Sequence, residues 1–310
     1  MRIIGSFFFH RHPVMTMGGV EVLWERPGHS PFMWWPGWSP NGRRLATAEM
    51  KAPSVVLMLD GDSGEEVGRI QAHRRAINAI NWRPDGRMLA TAGGDGRVTI
   101  RGPRGGQKAA HHLFTNESES VHWSPDGKHI AVSSRDGSVL VMEPISGDVS
   151  FSWPPGPAVL NVAWHPNGKR LALAREDRRV LVVKPHSSGS VMLVHRDVVN
   201  DVTWSPDGKR LATASADGSV RLWAADGTMT DLVLRPHKEG TASVSYSPDG
   251  KRLAAASWDG AVRVWYEGVL ELEDRKGRGP PVAVAWRPEA KAQLLIGRSK
   301  GPLKLMDLAP

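Results

Sequence analysis

Trp204-Ser-Pro-Asp-Gly208 is one of seven copies of a phrase that returns about every forty residues. The others are Trp38-Ser-Pro-Asn-Gly42, Trp82-Arg-Pro-Asp-Gly86, Trp123-Ser-Pro-Asp-Gly127, Trp164-His-Pro-Asn-Gly168, Tyr246-Ser-Pro-Asp-Gly250 and a decayed Trp286-Arg-Pro-Glu-Ala290. Proline presets the turn dihedral and glycine accepts positive φ, so the chain reverses at each copy without strain. The β-rich run Val198-Val-Asn-Asp-Val-Thr-Trp204 leads into the fifth copy. Beyond its turn come Arg210-Leu-Ala-Thr-Ala-Ser215, the turn Ala216-Asp-Gly218, then Ser219-Val-Arg-Leu-Trp223 and Met229-Thr-Asp-Leu-Val-Leu234. Short β-rich runs between such turns predict four strands per period.

Four strands in a period of this length fit one blade of a β-propeller. The first two runs carry apolar or small residues at both parities, as expected of sheets packed on both faces. The fold predicted is all-β: a seven-bladed β-propeller of four-stranded antiparallel blades. The last copy supplies three strands, Val282-Ala-Val-Ala-Trp286, Gln293-Leu-Leu-Ile-Gly297 and Pro302-Leu-Lys-Leu-Met306, while an orphan strand, Val20-Glu-Val-Leu-Trp24, precedes the first copy. Residues 20–24 are therefore expected to form the outer strand of blade 7 beside residues 302–306, closing the ring and removing open sheet edges. On this reading residues 20–310 form a single propeller domain, and residues 1–19 form a disordered leader.

The bulk composition narrows the classes. Hydrophobic content of 40% and charged content of 23% suit a soluble globular chain, and no run is long and apolar enough to span a bilayer. The opening Met1-Arg-Ile-Ile-Gly-Ser-Phe-Phe-Phe9 is broken too soon by His10-Arg-His-Pro13 to read as a signal peptide, and a cytoplasmic setting is expected. The chain has no cysteine, which excludes disulfides, thiolate zinc sites and a cysteine nucleophile. Lys plus Arg is 40 against 32 for Asp plus Glu; the net +8 favours an acidic partner.

The repeat resembles the WD-repeat family, and the resemblance covers about residues 20–308. It implies a buried hydrogen-bonded set in each complete blade: a His before the first strand, a Ser or Thr on the second, an Asp in the next turn and a Trp on the third. Carried over, the fifth copy supplies His195, Ser215, Asp217 and Trp223, and the sixth His237, Ser257, Asp259 and Trp265. Other copies depart. Copy two keeps His73 and Asp95 but has Gly93 and Arg101 at the Ser and Trp places. Blades 5 and 6 are expected to be the most rigid.

Two faces follow. One carries the first-to-second strand turns, whose cations include Arg43, Arg87, Lys128, Lys169, Lys209 and Lys251; it lacks interleaved aromatics, so nucleic acid is not expected there. The other carries the His loops and Asp turns. The resemblance implies that the residue before each turn Asp points at partners: Gly94, Arg135, Glu176, Ala216 and Trp258. With the nearby Arg74, Arg75, Arg178, Arg179, Arg196 and Lys238, Trp258 and Arg135 are the expected partner-binding residues, since Arg and Trp anchor interfaces. Asn78, Asn161, Asn200 and Asp201 are expected on the innermost strands, lining the channel. No phosphate-binding Gly-x-x-x-x-Gly-Lys occurs, and the adjacent His111 and His112 would point to opposite sides of a strand. No catalytic residue, metal or cofactor is assigned. The expected function is a non-enzymatic protein-binding scaffold, monomeric, for an acidic partner. The alternatives are a sensor region of a larger signalling protein and a propeller hydrolase with a channel metal.

Overall fold

A computed structural model of the chain describes residues 20–26, 36–49, 54–185, 187, 189–234, 239–277, 279–290 and 292–308. The described residues form seven four-stranded antiparallel sheets arranged as a β-propeller. In blades 1 to 6 the four strands pair in chain order. Blade 5, for example, runs Val199–Trp204, Arg210–Ser215, Val220–Ala224 and Met229–Leu234. The repeated phrase makes the hairpin between first and second strands. Its glycines, from Gly42 to Gly250, sit at φ of +65° to +72°. Where the phrase reads Ser-Pro-Asp-Gly, the Ser hydroxyl donates to the Asp carboxylate: Ser124 to Asp126 at 2.6 Å, Ser205 to Asp207 at 2.6 Å and Ser247 to Asp249 at 2.5 Å. The same carboxylates accept the following Lys N–H, which locks the turn locally.

The core lies between blades. On the second strand of blade 5, Leu211, Ala212, Thr213, Ala214 and Ser215 are all fully buried, so both faces are covered, as the absence of alternation predicts. Indole N–H groups stitch neighbouring inner strands: Trp82 donates to Gly37 O, Trp164 to His122 O, Trp204 to Ala163 O and Trp286 to Ser245 O.

The ring closes through the N-terminal strand. Glu21–Arg26 pairs antiparallel with Leu303–Asp307, with a bulge between Val22 and Trp24. The strand runs two residues past the expected stretch because Arg26 reaches blade 1, pairing with Glu66 at 3.1 Å and donating to Gly64 O. Trp24 packs with Trp38, Leu45 and Leu59 of blade 1 and Leu303 and Leu305 of blade 7. Its indole donates to Gly61 O at 3.1 Å. Residues 1–19, His29, His237, Lys238 and the turn at 50–53 lie outside the described residues.

Candidate functional site

Blade 5 holds a hydrogen-bonded set, but its hydroxyl is that of Thr213, not Ser215. His195 Nε2 lies 2.7 Å from Thr213 Oγ1, and the Trp223 indole donates to the same oxygen at 2.9 Å. Ser215 instead accepts the Asp217 N–H and donates to Asp197 O. Register is the reason. Trp223 pairs with Leu211 and Arg221 with Thr213, so the indole leans toward Thr213, whereas Ser215 stands at the turn. The signal was visible: Leu-Ala-Thr-Ala recurs at residues 45–48, 89–92 and 211–214. Burial pushes the Asp217 carboxyl up, yet His195, the hydroxyl and N–H of Ser219 and the N–H of Arg196 outweigh it and hold the group far below the usual carboxylate range. Burial pushes His195 down, toward the neutral imidazole.

Blade 2, which looks incomplete in sequence, carries a tighter network. His73 places Nδ1 2.9 Å from Asp95 and Nε2 2.8 Å from Thr91 Oγ1, which lies 2.8 Å from Thr99 Oγ1. Thr99 does the work of the missing Trp. Gly93 is required: a Cβ there would lie 2.3 Å from His73 Nδ1. With Ser215 at that place in blade 5, the His195–Asp217 separation is 3.6 Å. In blade 6, Ser257 donates to Gly240 O at 3.0 Å and accepts the Asp259 N–H, while Asp259 faces Arg263 at 3.2 Å. Ala255 stands where Thr213 does, so the linking hydroxyl beside Trp265 is absent at that position.

These loops build the face on which the partner residues were expected. Trp258 is 38% exposed and lies over Gly240, where a Cβ would sit 2.5 Å from its ring and 3.1 Å from Ala216 of blade 5. Only a glycine lets the indole lie flat there. Arg74, Arg75, Arg178 and Arg196 are exposed, with no ion pair to their side chains among the described residues. Arg179 shares Asp177 with Arg175, at 3.7 and 3.0 Å. Arg135, expected among the partner-binding residues, has carboxylate neighbours of its own. It pairs with Glu119 at 3.0 Å, and the charges of Glu117 and Glu176 also favour its protonated form.

The channel candidates also divide. Asn78 and Asn200 are half-buried and donate to Ser118 O and Thr241 O of the next blade. Asn161 and Asp201 do not line the channel; each is 2% exposed. Asn161 donates to Asp201 at 2.6 Å, and Asp201 accepts its neighbour Val202 N–H and the Val244 N–H of blade 6. One carboxyl thus ties three inner strands together, and burial pushes it up to about 7. Half-buried His122 is pushed down to about 4 by desolvation. Among the described residues no three His, Asp or Glu converge as metal ligands, and no helix is long and apolar enough to cross a membrane.

A model of the WD domain, G-beta repeat, matches residues 64–100, 110–141, 187–224 and 230–266. WD repeat-containing protein 1 of Mus musculus is 41% identical over 70 residues, 22% of this chain and 11% of that protein. Its Gallus gallus counterpart is 39% identical over 75 residues, 23% of this chain and 12% of that protein. A Culex quinquefasciatus protein named probable cytosolic iron-sulfur protein assembly protein Ciao1 is 32% identical over 94 residues, 29% of this chain and 28% of that protein. The aligned stretches thus span between 11% and 28% of these relatives' own length.

Proposed function

Because the chain is a WD-repeat β-propeller, we propose that it is a non-enzymatic scaffold that captures another protein on its His-loop face. Trp258 carries this reading: a large, partly exposed indole held on a glycine platform beside blade 5. Such an aromatic is a suitable interface anchor. The exposed Arg196 on the neighbouring loop, with Arg74, Arg75 and Arg178 further round, would favour an acidic surface and speed its encounter. Arg135 contributes to the acidic cluster it neutralises rather than to that attraction. A monomeric, cytosolic scaffold is part of the proposal.

The test is capture by the immobilised full chain, with Trp258→Ala and Arg196→Glu beside it, in low and high salt. Trp258→Ala is expected to cost about 2 kcal/mol of affinity or more for a captured protein. Arg196→Glu should slow association at low salt and matter little at high salt. Unchanged capture by both variants would move the site off this face.

A further inference from the structure

On the opposite face, the residue after each inner-strand aromatic is Ser in four blades and long in three. Each long side chain crosses to the next blade. Arg83 of blade 2 donates from Nε to Gly127 O at 2.9 Å, with its guanidinium 5.6 Å from the Trp123 ring centre. Arg287 of blade 7 does the same to Gly42 O at 2.8 Å and Trp38 at 5.4 Å in blade 1. His165 of blade 4 lies 3.0 Å from Gly208 O and meets Trp204 edge-on, centres 4.6 Å apart. The slot filled is the same each time: a turn-glycine carbonyl below and an aromatic face beside it.

Between blades 3 and 4 the residue is Ser124, too short to cross. Its hydroxyl turns back onto Asp126, and a cleft of about 370 Å³ remains, lined by Asp126, His129, Trp164 and Gly168 among others. That volume is within the range of ligand pockets. Among the described residues no hydrogen bond reaches Gly168 O, and Trp164 directs its N–H away, to His122 O. No Lys or Arg lines the cleft. The Ser124 hydroxyl outweighs burial and holds the exposed Asp126 carboxyl below its usual range, so it is anionic. A second cleft, of about 390 Å³, opens between blades 5 and 6, again beside a Ser, at residue 205. It is lined by Arg210, Lys251 and Arg252 against Asp207 and Glu267, which disfavours a cation.

We propose that the cleft between blades 3 and 4 receives one arginine side chain of a partner polypeptide, seated as Arg83 and Arg287 are seated within the ring. The guanidinium lies over Trp164, donates to Gly168 O and pairs with Asp126, combining a cation–π contact with charge-assisted hydrogen bonds. The site is on the face away from Trp258, so its failure and that of the capture surface are separable.

The probe is N-acetyl-arginine amide titrated into the full chain, read by the tryptophan indole resonances, with Trp164 assigned by its loss in Trp164→Phe. N-acetyl-citrulline amide, which lacks the charge, is the control. The Trp164 resonance should shift saturably with the arginine amide and not with citrulline. Asp126→Asn should weaken binding about tenfold, as for loss of one charge-assisted contact. Ser124→Arg should supply the missing side chain from within, abolishing the shift and raising the unfolding midpoint. Equal shifts from both amides, a shift that leaves Trp164 untouched, or full-strength binding to Asp126→Asn would overturn the assignment.

Discussion

Thr213→Val tests the hydroxyl assignment in blade 5, and Ser215→Ala is its control. Valine keeps the shape of threonine and removes only the oxygen that His195 Nε2 and the Trp223 indole share. Thr213 is fully buried, so no water takes its place. Each buried polar group left unpaired costs about 1–3 kcal/mol, so Thr213→Val should cost about 2–6 kcal/mol. Ser215→Ala breaks a bond to Asp197 O and one from the Asp217 N–H; Ser215 is buried, but these partner groups belong to an exposed and a half-buried residue, within reach of solvent. About 1 kcal/mol is expected there. Urea midpoints with an unchanged slope measure both, and each kcal/mol should also move the melting temperature by about 2 °C in a chain of this size. If Ser215→Ala costs as much as Thr213→Val, the shared-hydroxyl argument is wrong.

Trp24→Ala should cost about 3–5 kcal/mol, because the ring closure rests on this indole; a thermal midpoint within about 1 °C of wild type would contradict the closure energetics. Asp201 holds its proton to about pH 7 when folded but loses it near 3.9 when unfolded, so the folded chain binds more protons between those values. Its contribution is therefore present at low pH and lost as pH rises from about 4 to about 7, by up to about 4 kcal/mol at about 1.4 per unit. Asp201→Asn should remove that slope, and a wild-type-minus-variant difference that is the same at pH 5 and pH 8 would refute it. Arg178 occupies φ +69° where other blades place the glycine of Asp-Gly, so Arg178→Gly should stabilise by about 1 kcal/mol, read from urea midpoints.

Much of the architecture was legible because it is local. Gly208 and its counterparts punctuate the chain where only a tight reversal suits Pro-Asp-Gly, and the orphan strand before the first copy fills the vacancy left by the last. The site was legible only in part. Trp258 could be placed on its face from the turn it precedes, but Gly240, which lets the indole lie down, comes from eighteen residues earlier. The acids that act on Arg135 were not legible, because Glu119 and Glu176 belong to an inner strand and to the next blade's turn. Asn161 and Asp201 looked like channel walls because parity along a strand gives two sides but not which of them is wet.

Spacing and turn chemistry by themselves determined the number of blades, their strand order and the closure of the ring, since each depends on contacts within one period or on counting strands at the two ends. Which hydroxyl meets His195, which acid holds Arg135 and where Ser124 leaves a cleft were decided only in three dimensions. The first two depend on register within a blade, where side chains 18 and 16 residues apart meet; the third depends on whether a side chain is long enough to cross a blade junction to a carbonyl about forty residues away, as Arg83 does.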